Sequence, residues 1–275
     1  DHSFAGLKNY INVWQNGAFK IAVRNTFTFT GLSVPLAVVL SLGLALMLEA
    51  RIPLKSEFRT FFLSPMMVPI ASIILIWQVL FHYNGVVNEF LAVFGADKID
   101  WLKSDYCMVV IVVLFLWKNL GYNMILFMAA LNNIPKELIE AAELDGANKF
   151  QQFVHIILPS IKTIVTLNVI LSITGALSAF EQPFVITGGS NGTATYFINM
   201  NNIAHTSQKV GLASAMAVVL LLIIFACTIL QKLFFKYVYR NADQDDEVMT
   251  REERKRLKQL HKEQRAAKKA AKGAM

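Results

Sequence analysis

Five long apolar stretches constrain the fold of this chain more than any other feature. Each is 21 to 25 residues long, enough to cross roughly 30 Å of hydrocarbon at about 1.5 Å per helical residue. Lipid offers the backbone no hydrogen-bond partners, so these stretches must be helices. The sequence therefore predicts an all-α, polytopic membrane helical bundle. The predicted spans are Thr26–Leu48, Phe61–Phe81, Cys107–Leu131, Ile164–Thr187 and Gly211–Gln231.

Composition agrees with a membrane protein and excludes several other classes. Hydrophobic residues make up 55% of the chain and charged residues only 16%, against about 25% charged in a soluble domain. The two cysteines, Cys107 and Cys227, lie inside apolar stretches and form no CxxC pair, so we expect no metal site. Prolines at 35, 65 and 69 lie within spans and predict kinks in a bundle.

The distribution of basic residues predicts the orientation in the membrane. Of the 26 Lys and Arg residues, 19 lie on one side of the spans, 13 of them from Lys232 onward, and six lie on the other. Because cytoplasmic segments are enriched in Lys and Arg, the first side is assigned to the cytoplasm. We therefore expect a multi-pass protein of the bacterial cytoplasmic (inner) membrane with a cytoplasmic C-terminus. The expected segments are 1–25 (external), 26–237 (transmembrane domain) and 238–275 (charged cytoplasmic tail).

The loop between the third and fourth spans, residues 132–159, carries the most informative motif. Pro135 suits a first helical turn that Asn132 or Asn133 can cap. The acidic residues Glu137, Glu140 and Glu143 recur along the helix that follows. Gly146 can adopt a left-handed conformation and end that helix. A second helix is expected over 147–157, with an apolar face formed by Phe150, Phe153, Val154 and Ile157. Periodicity alone would also fit an ordinary amphipathic loop at the membrane surface.

The full spacing of this loop resembles a known motif. Glu140-Ala141-Ala142, then three residues to Gly146, then Ile157-Leu158-Pro159, is similar to the EAA loop of binding-protein-dependent ABC importer permeases. The segment 4–10 and Phe180-Glu181 followed by Thr187-Gly188-Gly189 resemble the maltose-type sugar branch of that family. Here Glu181 replaces Asp and Ser190 replaces Pro, and one residue is missing before the glycines.

The resemblance implies a function as well as a fold. It implies the type I ABC importer permease fold, with a sixth span missing upstream of Asp1. The chain would be a non-catalytic subunit that imports a sugar by alternating access. Its partners would be a related permease, two ATP-binding subunits and an external solute-binding protein. Contacts to the ATP-binding subunit would come from Glu140, Ala141, Ala142, Asp145 and Gly146. No GxxxxGK[ST] loop is present, so ATP and Mg²⁺ are expected on the partner and no cofactor on this chain.

Polar and aromatic residues inside two spans predict a substrate path. Polar side chains in a span are costly and usually face a cavity, and aromatic faces stack on sugar rings. Candidates are Trp117, Asn119, Tyr122 and Asn123 in the third span, and Ser178, Phe180 and Glu181 in the fourth. Hydroxyl residues such as Ser178 also suit ordinary helix packing. Lys118 and Glu181 are the charged residues well inside the spans, so we expect them to pair or to face a wet cavity.

Two alternatives and the tail remain open at this stage. The same machine could carry a non-sugar solute, such as an amino acid or a polyamine. A secondary transporter or channel would work without ATP, but no clear inverted repeat or ion site supports it. The tail has an acidic cluster at 243–247 and ten Lys or Arg over 251–272. That pattern predicts a solvated helix or a contact with anionic lipid headgroups, rather than nucleic-acid binding.

Overall fold

The structure, a computed structural model, describes residues 5–49 and 54–239. Phe4, Arg51 and the charged tail lie outside the described residues, so the structure does not test the predictions made for them. The regular elements of the described part are helices. They are α1 Lys8–Gln15, α2 Gly17–Glu49, α3 Lys55–Met67, α4 Ile70–Leu80, α5 Val86–Val93, α6 Cys107–Leu131, α7 Lys136–Leu144, α8 Lys149–Gln152, α9 Leu158–Ser160, α10 Lys162–Leu177, α11 Glu181–Thr187, α12 Tyr196–Asn201 and α13 Val210–Val238, with π-helical turns at Phe153–Ile157 and Asn202–Thr206.

Four of the five predicted spans are confirmed as segments long and apolar enough to cross a membrane. They are Gly17–Glu49, Cys107–Leu131, Lys162–Thr187 and Val210–Val238. The first begins nine residues before the predicted Thr26, because Lys20 and Arg24 extend the helix beyond the apolar run. Multi-pass membrane architecture follows from these helices.

The predicted second span, Phe61–Phe81, is divided between two helices, with a break where Pro69 predicted a kink. Helices α3 and α4 meet at an angle of 102°, so the pair is a broken span or a re-entrant loop. Proline disfavours the helical conformation of the residue before it and lacks an amide hydrogen. Val68 is accordingly extended, with φ −82° and ψ 134°, and Pro69 caps α4. Pro35 and Pro65 lie inside helices.

The fourth span is interrupted near its end. Helix α10 stops at Leu177, and α11 begins at Glu181 after Phe180 adopts φ −126° and ψ −55°. The break leaves backbone groups without helical partners, which is tolerated in a membrane only where other groups bind them. The Thr195 hydroxyl does so by donating to the Ala179 carbonyl at 3.0 Å.

The bundle is held together by α2, α6 and α10. Phe29 and Val34 of α2, Ile111 and Phe115 of α6, and Ala176 of α10 share one buried apolar cluster. Phe29 and Phe115 meet edge to face with ring centres 5.3 Å apart. This cluster belongs to a compact unit that extends to Ile229 and contains the candidate sites. The predicted boundaries at 25/26 and 237/238 stay predictions.

The segment between α4 and α6 is organised by one buried amide. The Asn88 side chain donates to the carbonyls of Tyr83 and Ile99 at 2.9 and 2.7 Å. It also accepts from the Ile99 amide at 3.2 Å and from the Trp101 indole at 2.9 Å. All four hydrogen-bonding positions of the amide are filled, so Asn88 fixes the loop that follows α5.

Candidate functional site

The predicted EAA segment folds as an elbow, a unit of two short helices, α7 and α8, joined by a sharp turn. Helix α7 ends in a Schellman motif: the Gly146 amide donates to Glu143 at 3.1 Å and the Ala147 amide to Ala142 at 2.9 Å. Gly146 has φ +80°, a left-handed conformation that glycine adopts at little cost. The prediction that Gly146 adopts a left-handed conformation and ends the first helix is confirmed.

The second helix is fixed to the elbow by polar contacts. It begins at Lys149 rather than at the predicted Ala147, because Asn148 and Gln151 form a reciprocal capping box with distances of 2.9 and 2.8 Å. Lys149 forms an ion pair with Glu143, and its hydrogen bond lowers the pKa of that carboxyl below the ordinary value. The Gln152 amide donates to Ala147 at 3.0 Å. The two helices are therefore held together as one unit.

Two details at the ends of the loop differ from the sequence prediction. Asn132 and Asn133 do not cap α7; their side chains donate back to Met128 and Ala129, at 2.8 and 3.0 Å, and so satisfy the last carbonyls of α6. Pro135 precedes α7 as its N-cap. The predicted second helix widens into a π-helical turn over Phe153–Ile157. Proline at 159 cannot donate to the carbonyl four residues earlier, which accounts for the irregular ladder.

The elbow presents an unpartnered surface. No residue of α7 is buried, and Glu140, Ala141, Asp145 and Gly146 are all exposed. Leu144 is 89% exposed. Phe150, predicted to lie on an apolar face, is 74% exposed. A cavity of about 410 Å³ opens between the helices, with Ala142, Gly146, Gln152 and Ile156 among the lining residues. Such exposure of large apolar side chains is typical of a protein interaction surface.

The polar residues of α6 do not share one environment. Tyr122 is exposed, whereas Asn123 is buried and donates to the Ser172 hydroxyl of α10 at 3.2 Å. Asn119 donates to the Phe115 carbonyl of its own helix at 2.8 Å. Asn119, Tyr122 and Asn123 therefore differ in their surroundings, since the Asn123 donor joins two helices. Interhelical polar bonds of this kind hold membrane bundles together.

The helix break places the other candidates near α6. Lys118 Nζ lies 3.8 Å from Glu181 Oε2, with side-chain exposures of 25% and 57%. The distance satisfies the geometry that the pairing hypothesis requires. Ser178 is exposed where α10 ends, and Trp117 is exposed beside Lys118. Phe180 stacks on Phe184 with ring centres 4.7 Å apart. Their roles in a substrate path stay predictions.

Exchanging the two charges tests the Lys118–Glu181 pair. Lys118→Glu places two carboxylates together, and Glu181→Lys places two ammonium groups together. Because Glu181 is more than half exposed, we apply the surface-pair value of about 1 kcal/mol, or about fivefold lower transport for each single variant. The double variant restores an opposite-charge pair and should recover most uptake. Equal loss in the single and double variants would rule out a pairing role.

The glycine turn after α11 explains why Ser190 can stand where the maltose-type pattern has Pro. Gly188 and Gly189 have φ of +63° and +82°. The Ser190 amide then donates to the Thr187 carbonyl at 3.0 Å, a bond that proline could not form. A Cβ on Gly189 would lie 3.0 Å from Ile198, so the turn also packs closely on α12.

Two structural residues near the site were not identified from sequence. A Cβ on Gly121 would lie 2.0 Å from the Phe62 carbonyl oxygen, so α3 crosses α6 at backbone contact there. Asn88 is the second of these residues. For Gly121, a small residue in a span is a known signal for close helix contact, but the local sequence does not show which helix will lie against it. Within the described residues, no three His, Cys, Asp or Glu side chains could together hold a metal ion.

Comparison with known proteins identifies the class of this fold and site. Residues 37–238 match the family described as the inner membrane component of binding-protein-dependent transport systems. The chain belongs to this family, as predicted from the EAA motif, and is a transmembrane permease subunit by class.

Named relatives cover most of the chain. It is 35% identical over 246 residues to the Probable ABC transporter permease protein YurN of Bacillus subtilis, covering 86% of this chain and 84% of that protein. It is 31% identical to the trehalose/maltose transport system permease protein MalF of Thermococcus litoralis, covering 82% and 78%. It is 32% identical to the arabinooligosaccharides transport system permease protein AraP of Halalkalibacterium halodurans, covering 88% and 78%.

Solved structures confirm the fold. A chain of a bacterial ABC transporter for import of the acidic polysaccharide alginate superposes with a TM-score of 0.79 at 20% identity, covering 86% of each chain. A second alginate transporter structure, in complex with a pentasaccharide-bound periplasmic protein, gives a TM-score of 0.76 at 21% identity, covering 86% of this chain and 83% of that one. This protein therefore has the type I ABC importer permease fold.

Proposed function

We propose that this chain is the permease subunit through which an ATP-driven importer moves a carbohydrate, in particular an oligosaccharide, across the bacterial cytoplasmic membrane. The carrying observation is the helix break at 178–180, which sets Glu181 beside Lys118 and its aromatic neighbour Trp117 within spanning segments. Hydroxyl groups of a sugar can bond to the charged pair while an aromatic face packs on its ring. The sugar transport named for two of the relatives supports the same substrate class.

The elbow would transmit the force of a partner ATPase. Its two helices are joined by the Schellman motif and the Glu143–Lys149 ion pair, and the capping box fixes the start of α8. A unit held in this way moves as one body when a docked partner moves. Closure of the ATP-binding subunits would then rock the spans between outward and inward openings, which is alternating access driven by differential binding of two states. ATP and Mg²⁺ would bind the partner rather than this chain.

The proposed assembly contains a second related permease, two ATP-binding subunits and an external solute-binding protein. The elbow and the C-terminus would face the cytoplasm, in line with the distribution of Lys and Arg. The surface formed by Glu140, Ala141, Asp145 and Gly146 would contact the ATP-binding subunit, with Glu140 pairing with a basic residue there. The periplasmic protein bound to the alginate transporter supports an external partner of the same kind.

Charge reversal on α7 tests this assignment with a matched control. Glu140→Lys should release the ATP-binding subunit during purification of the tagged full chain, because loss of an interfacial charge pair costs about 2–5 kcal/mol, at least about tenfold in affinity. Glu137→Lys changes the same charge on the same helix, near its start, and should retain the subunit. Retention by both variants, or sugar uptake without ATP, would contradict the proposal.

The carbohydrate assignment has its own readout. The assembled complex in proteoliposomes should hydrolyse ATP several-fold faster when its solute-binding protein is loaded with an oligosaccharide than when it is empty. Stimulation by an amino acid or a polyamine instead would replace the substrate class while leaving the ATP-driven mechanism intact.

A further inference from the structure

Helix α1 carries more apolar surface than the described part of the chain covers. Val13 is buried and Tyr10 packs beside it, in a cluster with Phe19, Tyr196 and Met216. Leu7, Ile11 and Trp14, spaced at i, i+4 and i+7, form a neighbouring stripe in which each residue is more than half exposed. Trp14 also meets Phe19 edge to face with ring centres 5.5 Å apart. The helix is therefore anchored through Val13, Tyr10 and one edge of Trp14, and the rest of the apolar stripe is open.

The anchoring contacts place α1 across the ends of two spans. Asn16, with ψ 115°, breaks the chain between α1 and α2, and its side chain accepts from the Ala18 amide at 2.9 Å. At the other end of α1, the Asn9 side chain lies 3.0 Å from the position of a Cβ on Gly211, in the first turn of α13. Helix α1 therefore links the starts of two candidate spanning helices.

The charge around this stripe has one sign. Residues 5–48 contain Lys8, Lys20 and Arg24 and no Asp or Glu. All three basic side chains are exposed. Within the described part of the chain, none of the three forms a salt bridge. Within the described residues these three charges have no anionic partner, so they are available to bind one.

We propose that α1 and the first turns of α2 form a binding surface for anionic phospholipid headgroups. Helices that lie in the membrane interface combine basic residues with an apolar face of Leu and Trp, and Trp concentrates at headgroup level. Leu7, Ile11 and Trp14 enter the boundary between headgroups and acyl chains. Lys8, Lys20 and Arg24 bind the phosphates. Ile21 in the first turns of α2 is exposed as well.

Fluorescence of Trp14 tests where the stripe lies. The full chain, in its assembled transporter, is placed in nanodiscs of phosphatidylcholine and phosphatidylglycerol with bromine near the headgroup end of the acyl chains. Subtracting the Trp14→Phe spectrum removes the signal of the other three tryptophans. The Trp14 signal should fall by at least half in the brominated lipid and respond little to aqueous acrylamide. Quenching by acrylamide alone places the stripe in water. Protection from both quenchers places it under another protein segment. Either result overturns the proposal.

Lipid preference tests the charge. Spin-labelled phosphatidylglycerol should be retained over spin-labelled phosphatidylcholine by at least about threefold, since each basic residue near the surface contributes about 1 kcal/mol. Lys8→Gln with Lys20→Gln should remove most of that preference. Lys98→Gln with Lys103→Gln removes the same charge from the loop after α5 and should leave it unchanged. Equal loss in the two double variants, or no loss in the first, would overturn the proposal.

Discussion

Gly121→Ala should strongly destabilise this protein. A Cβ at 121 would lie 2.0 Å from the Phe62 carbonyl oxygen and 2.6 Å from its carbonyl carbon. The atoms in the way are backbone, so no side-chain rotation relieves the clash. Helix α3 must instead move away from α6, which costs about 3 kcal/mol or more, the upper part of the range for overpacked cores. We expect a large drop in the midpoint of thermal unfolding in detergent and loss of transport.

Two other helical glycines supply matched controls for this change. Gly43 in α2 and Gly175 in α10 have nothing within 4 Å of an added Cβ. Alanine there should be neutral or stabilising by up to about 1 kcal/mol, because glycine is the poorer helix former. Unchanged thermal stability of Gly121→Ala would show that α3 does not cross α6 at this point. A loss shared by all three variants would indicate a general effect of methyl addition in the spans.

The sequence predicted four spans and the elbow because their causes are local. An apolar run of sufficient length must become a helix in lipid, whatever surrounds it. A glycine flanked by two helical patterns ends a helix through its own backbone freedom. The capping box at Asn148 was equally local and was overlooked, which displaced the start of the second helix by two residues.

The features that sequence reasoning missed depend on neighbours. Pro69 indicated a kink, but an angle of 102° depends on how α3 and α4 pack on other helices. Asn119, Tyr122 and Asn123 were all candidates for the substrate path, yet Asn123 meets α10 at Ser172 and Tyr122 is exposed. Gly121 carries no local sign that Phe62 will lie against it. A pattern along one helix identifies a face, and only the fold shows what that face meets.

Two replacements of Gly146 should show whether the elbow needs a left-handed backbone at this residue or only needs the space beside it to stay empty. Gly146 has φ +80°, and nothing lies within 4 Å of an added Cβ. A left-handed conformation costs an ordinary residue roughly 1–2 kcal/mol, more for a β-branched one, whereas asparagine adopts it readily. Gly146→Val should therefore open the elbow, lower transport by at least about tenfold, and leave membrane insertion intact. Gly146→Asn, of similar bulk, should keep most transport.

The Val and Asn variants together decide what the elbow does. The Schellman bonds from Gly146 and Ala147 require the left-handed residue, so valine removes the geometry that fixes α7 against α8. Failure of both variants would mean that a partner contacts residue 146 too closely for any side chain. Wild-type uptake by Gly146→Val, measured as substrate accumulation at equal membrane levels, would show that a rigid elbow is not needed. Loss with valine and retention with asparagine is the outcome expected if force passes through the fixed angle between the two helices.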